Sequence, residues 1–184
     1  MKTALKWSIA TALVLPTVLP LQAPNVLAEV DEDIVKLRFL ETTDLHTNIT
    51  NYDYFQDKVD NTIGLTKVAT LINEHRTAAG ETNTFLFDNG DTIQGTPFGD
   101  YVRESQAGKN EAFEHPMYKA MAALNYDAVT LGNHEFNFGL EFLYNAMEGS
   151  KGKLRFVNSN VKDLEGNPIV SKFNVDGQEV QIIE

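Results

Sequence analysis

The feature that most constrains this chain is a repeated pattern: short apolar runs that each end in a polar cluster. Val35, Leu37 and Phe39 alternate with Lys36 and Arg38, which predicts a strand ending at Glu41-Thr42-Thr43. Thr84-Phe85-Leu86-Phe87 predicts a second strand, running into Asp88-Asn89-Gly90-Asp91. Ala128-Val129-Thr130-Leu131 predicts a third, running into Gly132-Asn133-His134-Glu135. A fourth is expected over Leu154-Arg155-Phe156-Val157. Between these runs the apolar spacing becomes helical. Leu65, Val68, Ala69 and Ile72 share one helical face, and Gly80 stands where that helix should close. Pro116 marks the start of another helix, whose stripe is Met117, Ala120, Met121 and Leu124. A third helix is expected over residues 139–147, with Phe142, Leu143 and Ala146 on one face. A polar, aromatic loop is expected over residues 44–61, and a hairpin over 173–183 that turns at Asp176-Gly177. Strands alternating with helices predict an α/β layered domain.

The first segment reads as a leader rather than as fold. Lys2 and Lys6 form a basic start, residues 7–21 are apolar but broken by Pro16 and Pro20, and Val26-Leu27-Ala28 has the small-residue pattern of a cleavage point. A secretory signal peptide over residues 1–28 is therefore expected, with the mature chain starting near Glu29. The run is too short and too interrupted to read as a membrane span. The net charge of −11 becomes more negative still when the leader lysines leave. An acidic exported chain is a poor candidate for a nucleic-acid polymer or a membrane surface by bulk electrostatics. For a phosphate ester to bind, bound divalent cations would have to reverse the local field. There is no cysteine, so no disulfide can form and no thiol is available to carry a lipid.

The polar clusters carry the chemistry. In open α/β sheets ligands sit beyond the carboxyl ends of the strands, so the three clusters should converge. Asp44 and His46 are two apart, and in an extended segment they would face the same side and one ion. Gly90 allows a sharp turn from which Asp91 would project, its carboxylate able to bridge two cations. Asn133 offers a neutral, hard oxygen, while His134 follows it directly and is better placed for a substrate oxygen than for the same ion. Each cluster alone is a weak signal: an Asp-x-His triplet is mostly a chance surface pair, and Asn89-Gly90-Asp91 by itself favours a hydrogen-bonded turn; three in this order, each closing an apolar strand, form a strong one. Asp88 has a structural reading, His75 that of a solvated helix residue, and His115 that of a residue helping to start the helix at Pro116.

Glu41-Thr42-Thr43-Asp44-Leu45-His46, Asn89-Gly90-Asp91-Thr92-Ile93-Gln94-Gly95-Thr96-Pro97 and Leu131-Gly132-Asn133-His134-Glu135-Phe136 resemble the calcineurin-like metallophosphoesterases of the 5′-nucleotidase group. Tyr52-Asp53-Tyr54-Phe55, the stretch His115 to Ala120, and Asn137 are most similar to the bacterial 2′,3′-cyclic-nucleotide 2′-phosphodiesterase/3′-nucleotidases. The resemblance implies a sandwich of βαβ layers and hydrolysis of nucleotide phosphoesters at two divalent cations, with zinc, manganese, cobalt and iron all suited to the mixed donors. It implies Asp44 and His46 as ligands of the first ion, Asp91 as the bridge, Asn133 as a ligand of the second, and His134 as the residue that stabilises the transition state or the departing oxygen. In 5′-nucleotidases proper an aspartate orients that histidine; here the position is Asn137, which points to the cyclic-phosphodiesterase branch and to His134 acting chiefly as a hydrogen-bond donor. The family also draws histidine ligands from beyond the third motif, and no histidine follows His134. Residues 29–184 are therefore expected to be the N-terminal part of a catalytic domain, without the C-terminal nucleotide-binding domain and with little turnover alone. A 5′-nucleotidase or nucleotide-sugar hydrolase, and a secreted binding module with a decayed site, are the alternatives. The expected setting is outside the cytoplasm: periplasmic, extracellular or attached to the wall.

Overall fold

The computed structural model describes residues 34–170 and 173. The leader over residues 1–28 and the hairpin expected from residue 174 onward lie outside the described residues. Three parallel strands, β1 (Arg38–Thr42), β4 (Thr84–Asp88) and β5 (Ala128–Val129), form the sheet in the order β1-β4-β5. Arg38 to Thr42 pairs in register with Thr84 to Asp88, and Phe87 and Asp88 pair with Ala128 and Val129. Parallel neighbours require long crossovers, and the helices fall in those crossovers. Helix α1 (Leu65–Ala79) joins β1 to β4, α2 (Pro97–Ser105) and α3 (Pro116–Ala123) join β4 to β5, and α4 (Leu140–Glu148) follows β5. A small antiparallel ribbon, β2 (Tyr52–Asp53) with β3 (Lys58–Val59), occupies the expected aromatic loop.

The predicted strands are shorter in the structure. The first begins at Arg38, and the third covers only Ala128–Val129 before the backbone turns. The fourth reduces to a parallel bridge of Phe156 to Val129, held by Val129 N–H to Arg155 O at 2.9 Å and Val157 N–H to Val129 O at 2.8 Å. Helix α2 has no counterpart among the sequence expectations. Only Gly99 and Val102 of it are buried, so it shows almost no apolar stripe, although Pro97 at its start was a usable signal.

One face of the sheet meets the helices. Leu86, Val129 and Phe156 are buried there in one cluster with Ile72, Met117, Met121, Leu143 and Met147. Gly80 ends α1 as expected, at φ 88°, and the Arg76 guanidinium crosses to the carbonyls of Leu124 and Asn125 at 2.6 and 2.8 Å, tying α1 to the end of α3. His115 caps α3, its Nδ1 accepting from Met117 N–H at 3.2 Å. The opposite face is open among the described residues. Phe39, Phe85 and Phe87 stack along it with centroids 5.4 to 6.5 Å apart, and Phe39 is 65% exposed. A groove of about 550 Å³ runs beside them, between Phe87, Asn89, Ala128 and Arg155.

Candidate metal centre

The site forms where the segments after β1 and β4 continue side by side beyond the sheet. Asn89 N–H donates to Thr42 O, Asp44 N–H to Gly90 O, His46 N–H to Asp91 O and Thr47 N–H to Thr92 O, all at 2.8 to 3.0 Å. This ladder is not extended strand. Asp44, His46 and Asp91 all have left-handed backbone, with φ of 54°, 45° and 59°. The two-residue spacing of Asp44 and His46 therefore brings their side chains together through a strained turn, not through strand alternation. Such conformations cost roughly 1–3 kcal/mol each and persist where surrounding bonds impose them. The result is a carboxylate oxygen of Asp44, an imidazole nitrogen of His46 and a carboxylate oxygen of Asp91, all within 4.8 Å of one another.

A third segment closes over these two. Glu135 is fully buried, and its carboxylate accepts four main-chain N–H groups: Asp91 (2.8 Å), Thr92 (2.5 Å), Ile93 (3.3 Å) and Gly132 (2.7 Å). It joins the loop after β4 to the loop after β5. The two loops cross so closely that a Cβ on Gly90 would lie 2.2 Å from Gly132 N. The same crossing sets His134 N–H on Asp91 Oδ1 at 2.8 Å, which puts the Asn133–His134 peptide against the Asp91 carboxylate. Asn133 itself is exposed, at the start of a short 3-10 turn, His134–Phe136. That turn brings Asn137 back to the His134 ring, with Nδ2 2.9 Å from Nδ1. The His134 and His46 rings meet edge to face, centroids 5.0 Å apart.

The electrostatics suit a cation. Asp44 is held below the usual carboxylate range, first by the Thr43 hydroxyl, against some desolvation, and then by His46 and His134. His46 Nδ1 lies 2.8 Å from the Gln94 carbonyl, an acceptor only, so the ring proton belongs on Nδ1. Nε2 is then left as a lone pair, 3.5 Å from Asp44 Oδ1. A lone pair facing two carboxylates is unfavourable unless something positive lies between them, and a carbonyl-bound Nδ1 is the usual support of a ligating imidazole. The mixed carboxylate and imidazole donors fit a divalent transition metal.

Asp88 lies behind these candidate donors. It is 3% exposed and accepts from Thr42 Oγ1 (2.6 Å), Thr92 Oγ1 (2.8 Å) and Gly90 N–H (3.0 Å), while burial pushes its carboxyl above the ordinary range. It braces the turn, in keeping with a structural reading. His75 is on the surface beside Arg38, and His115 is buried in the α3 cap; neither reaches the centre. Sequence reasoning gave no role to Glu135 or Gln94. Both sit inside the recognised motifs, but their partners are main-chain groups or a distant side chain, which residue spacing does not display.

Residues 37–181 match the calcineurin-like phosphoesterase family. The chain belongs to that family. It is 43% identical over 145 residues to the 2′,3′-cyclic-nucleotide 2′-phosphodiesterase/3′-nucleotidase of Salmonella typhimurium, a match covering 79% of this chain and 22% of that one. It is 45% identical over 140 residues to the protein of the same name from Yersinia enterocolitica, covering 76% and 21%. The crystal structure of the calcineurin-like phosphoesterase YfkN from Bacillus subtilis superposes with a TM-score of 0.66 at 44% identity, covering 73% of this chain and 40% of that one. The chain thus spans about a fifth of the length of the first two relatives. The family implies divalent metal ions, and the Asp44, His46 and Asp91 donors of this calcineurin-like phosphoesterase fit them.

Proposed function

We propose that this chain carries the metal centre of an exported enzyme that hydrolyses 2′,3′-cyclic nucleotides and 3′-nucleotides, in the service of nucleotide salvage outside the cytoplasm. The observation that carries the reading is the convergence of Asp44, His46, Asp91 and the Asn133–His134 peptide beyond the carboxyl ends of three parallel strands. The relatives named above support the substrate class. Asp44 and His46 would hold one ion, Asp91 would be shared, and Asn133 would serve the second. When bound, the ions neutralise the phosphate oxygens and activate water for in-line attack.

The protein's own groups then divide the remaining tasks. Glu135 fixes the main chain of Asp91 and Gly132, so that the carboxylate and the Asn133 amide keep their spacing as charge moves. His134 has its Nδ1 engaged within the protein, which leaves Nε2 for the ester. In its protonated form Nε2–H donates to the departing oxygen. Asn137 stands beside the ring as a neutral amide where a carboxylate would hold the imidazolium more tightly, and this supports the cyclic and 3′ reading over 5′-nucleotide hydrolysis.

Residues 1–28 are read as the export leader and residues 29–184 as the N-terminal part of the catalytic domain. The test is a panel of 2′,3′-cyclic, 3′- and 5′-nucleotides on the full-length protein, recovered from outside the cytoplasm and supplied with manganese or zinc. Phosphate ester hydrolysis should favour the cyclic and 3′ substrates, and the recovered protein should begin at Glu29. Faster release from 5′-nucleotides would sink the assignment in favour of a 5′-nucleotidase. Metal binding with no hydrolysis of any nucleotide would favour a secreted binding module.

A further inference from the structure

We propose that Gln94 is a positioning residue that sets both imidazoles of the centre, His46 through its main chain and His134 through its side chain. The Gln94 carbonyl oxygen lies 2.8 Å from His46 Nδ1, and its side-chain Oε1 lies 2.5 Å from His134 Nδ1. Asn137 Nδ2 donates to the same Oε1 at 3.3 Å. An amide oxygen has two lone pairs and no proton to give. Both rings must therefore donate from Nδ1, and Oε1 is shared between His134 and Asn137. The 2.9 Å approach of Asn137 Nδ2 to His134 Nδ1 is then a contact between two donors that meet at one acceptor. Asn137 acts on His134 by way of Gln94.

Gly95 makes the arrangement possible. A Cβ there would lie 2.6 Å from His46 Nδ1, so only glycine lets the backbone at residues 94 and 95 lie flat against the ring. With His46 and His134 edge to face at 5.0 Å, one residue fixes the relative orientation of both rings. A side chain that orients a functional imidazole in this way is commonly worth about ten- to a hundredfold in activity or metal affinity.

The other histidines supply an internal reference. The chain has four histidines. His115 Nδ1 accepts from Met117 N–H, and His75 Nδ1 faces an Arg38 guanidinium, which can only donate. Those two rings carry their proton on Nε2, whereas His46 and His134 carry it on Nδ1.

Long-range nitrogen–proton NMR on the metal-free 184-residue chain, at a pH well above the usual imidazole range, reads the tautomer of each ring. Two Nδ1–H rings, His46 and His134, and two Nε2–H rings are expected. Gln94→Ala should move His134 to the Nε2–H form and leave His46 unchanged, since the His46 partner is main chain. Gln94→Glu, which keeps an acceptor oxygen, should restore the His134 signature. An Nε2–H tautomer at His134 in the wild-type chain overturns the proposal whether or not the variants fold. So does a Gln94→Ala variant that leaves His134 unmoved, or that shifts both rings together. The catalytic consequence rests on the proposed phosphoesterase function. In the full-length protein Gln94→Ala should lower kcat about ten- to a hundredfold with little change in KM, and have no further effect in a His134→Ala background. Correct tautomers in a protein that hydrolyses no nucleotide would leave the positioning role intact and reject the function instead.

Discussion

At the scale of single residues, the sequence singled out the candidate donors but not the reason for their convergence. Asp44, His46, Asp91, Asn133 and His134 could be singled out because each follows an apolar run, and strand ends are where an α/β sheet places its ligands. The left-handed φ of Asp44, His46 and Asp91 is only weakly marked in residue type: Asp and His enter that region more readily than most side chains, but none of the three is glycine. Glu135 shows the same limit from another side. Its partners are four peptide N–H groups, two on each carboxylate oxygen, shared out by a chain crossing that only the folded backbone reveals. Glu135→Gln tests it. The amide keeps the shape but turns one acceptor oxygen into a donor, which leaves two buried N–H groups without a partner. At about 1–3 kcal/mol for each orphaned group, the variant should lose roughly 2–6 kcal/mol. Urea denaturation of the wild-type and variant chains measures this, and a loss below 1 kcal/mol or so would mean that the crossing is held by other contacts.

Among the elements, helices were easier to read than strands. Gly80 and Pro116 punctuate α1 and α3 where the spacing placed them, and Phe142, Leu143 and Ala146 of α4 are buried as the periodicity required. The strands shortened because a parallel pair ends where its partner turns away, a tertiary event that propensity does not encode. The α3 cap carries a pH dependence. His115 is fully buried with its Nδ1 occupied by Met117 N–H, and burial lowers its pKa from 6.5 to about 3. Below pH 6.5 the unfolded chain takes up a proton that the folded chain refuses, so stability falls as pH drops from 6.5 towards 3. The slope approaches about 1.4 kcal/mol per pH unit, and the expected loss between pH 7 and pH 5 is about 2 kcal/mol. Both values lie above the ordinary carboxylate range, where Glu114 and its lysine partners contribute little. His115→Asn keeps an acceptor for the cap and removes the titration. Chemical unfolding at the two pH values should show a steeper decline for the wild type than for the variant. Equal slopes would assign the dependence to other groups.

For the molecule as a whole, the sequence indicated an α/β layer arrangement and the described residues show one side of it: a parallel sheet with helices on one face. Parallel strands are ordinarily buried on both faces, and the stacked Phe39, Phe85 and Phe87 on the open face have the apolar character of such a surface. Charge is the other global property. The chain carries a net −11, and the centre adds to the strain by gathering Asp44 and Asp91 within 4.8 Å of each other and of a ring nitrogen whose proton lies elsewhere. A divalent cation there cancels local repulsion and binds only the folded form, so it should stabilise the entire domain. At a hundredfold excess over its dissociation constant the gain is about 2.7 kcal/mol, a rise in Tm of several degrees for a domain of this size. Thermal unfolding with manganese or zinc, before and after a chelator, measures it. Asp91→Asn should abolish the shift. Its Oδ1 can still accept from His134 N–H, so the loss would report the missing charge rather than a broken loop. A Tm shift that survives Asp91→Asn would place the stabilising cation elsewhere on this acidic surface, and the centre would then lose its main physical support as the site of catalysis.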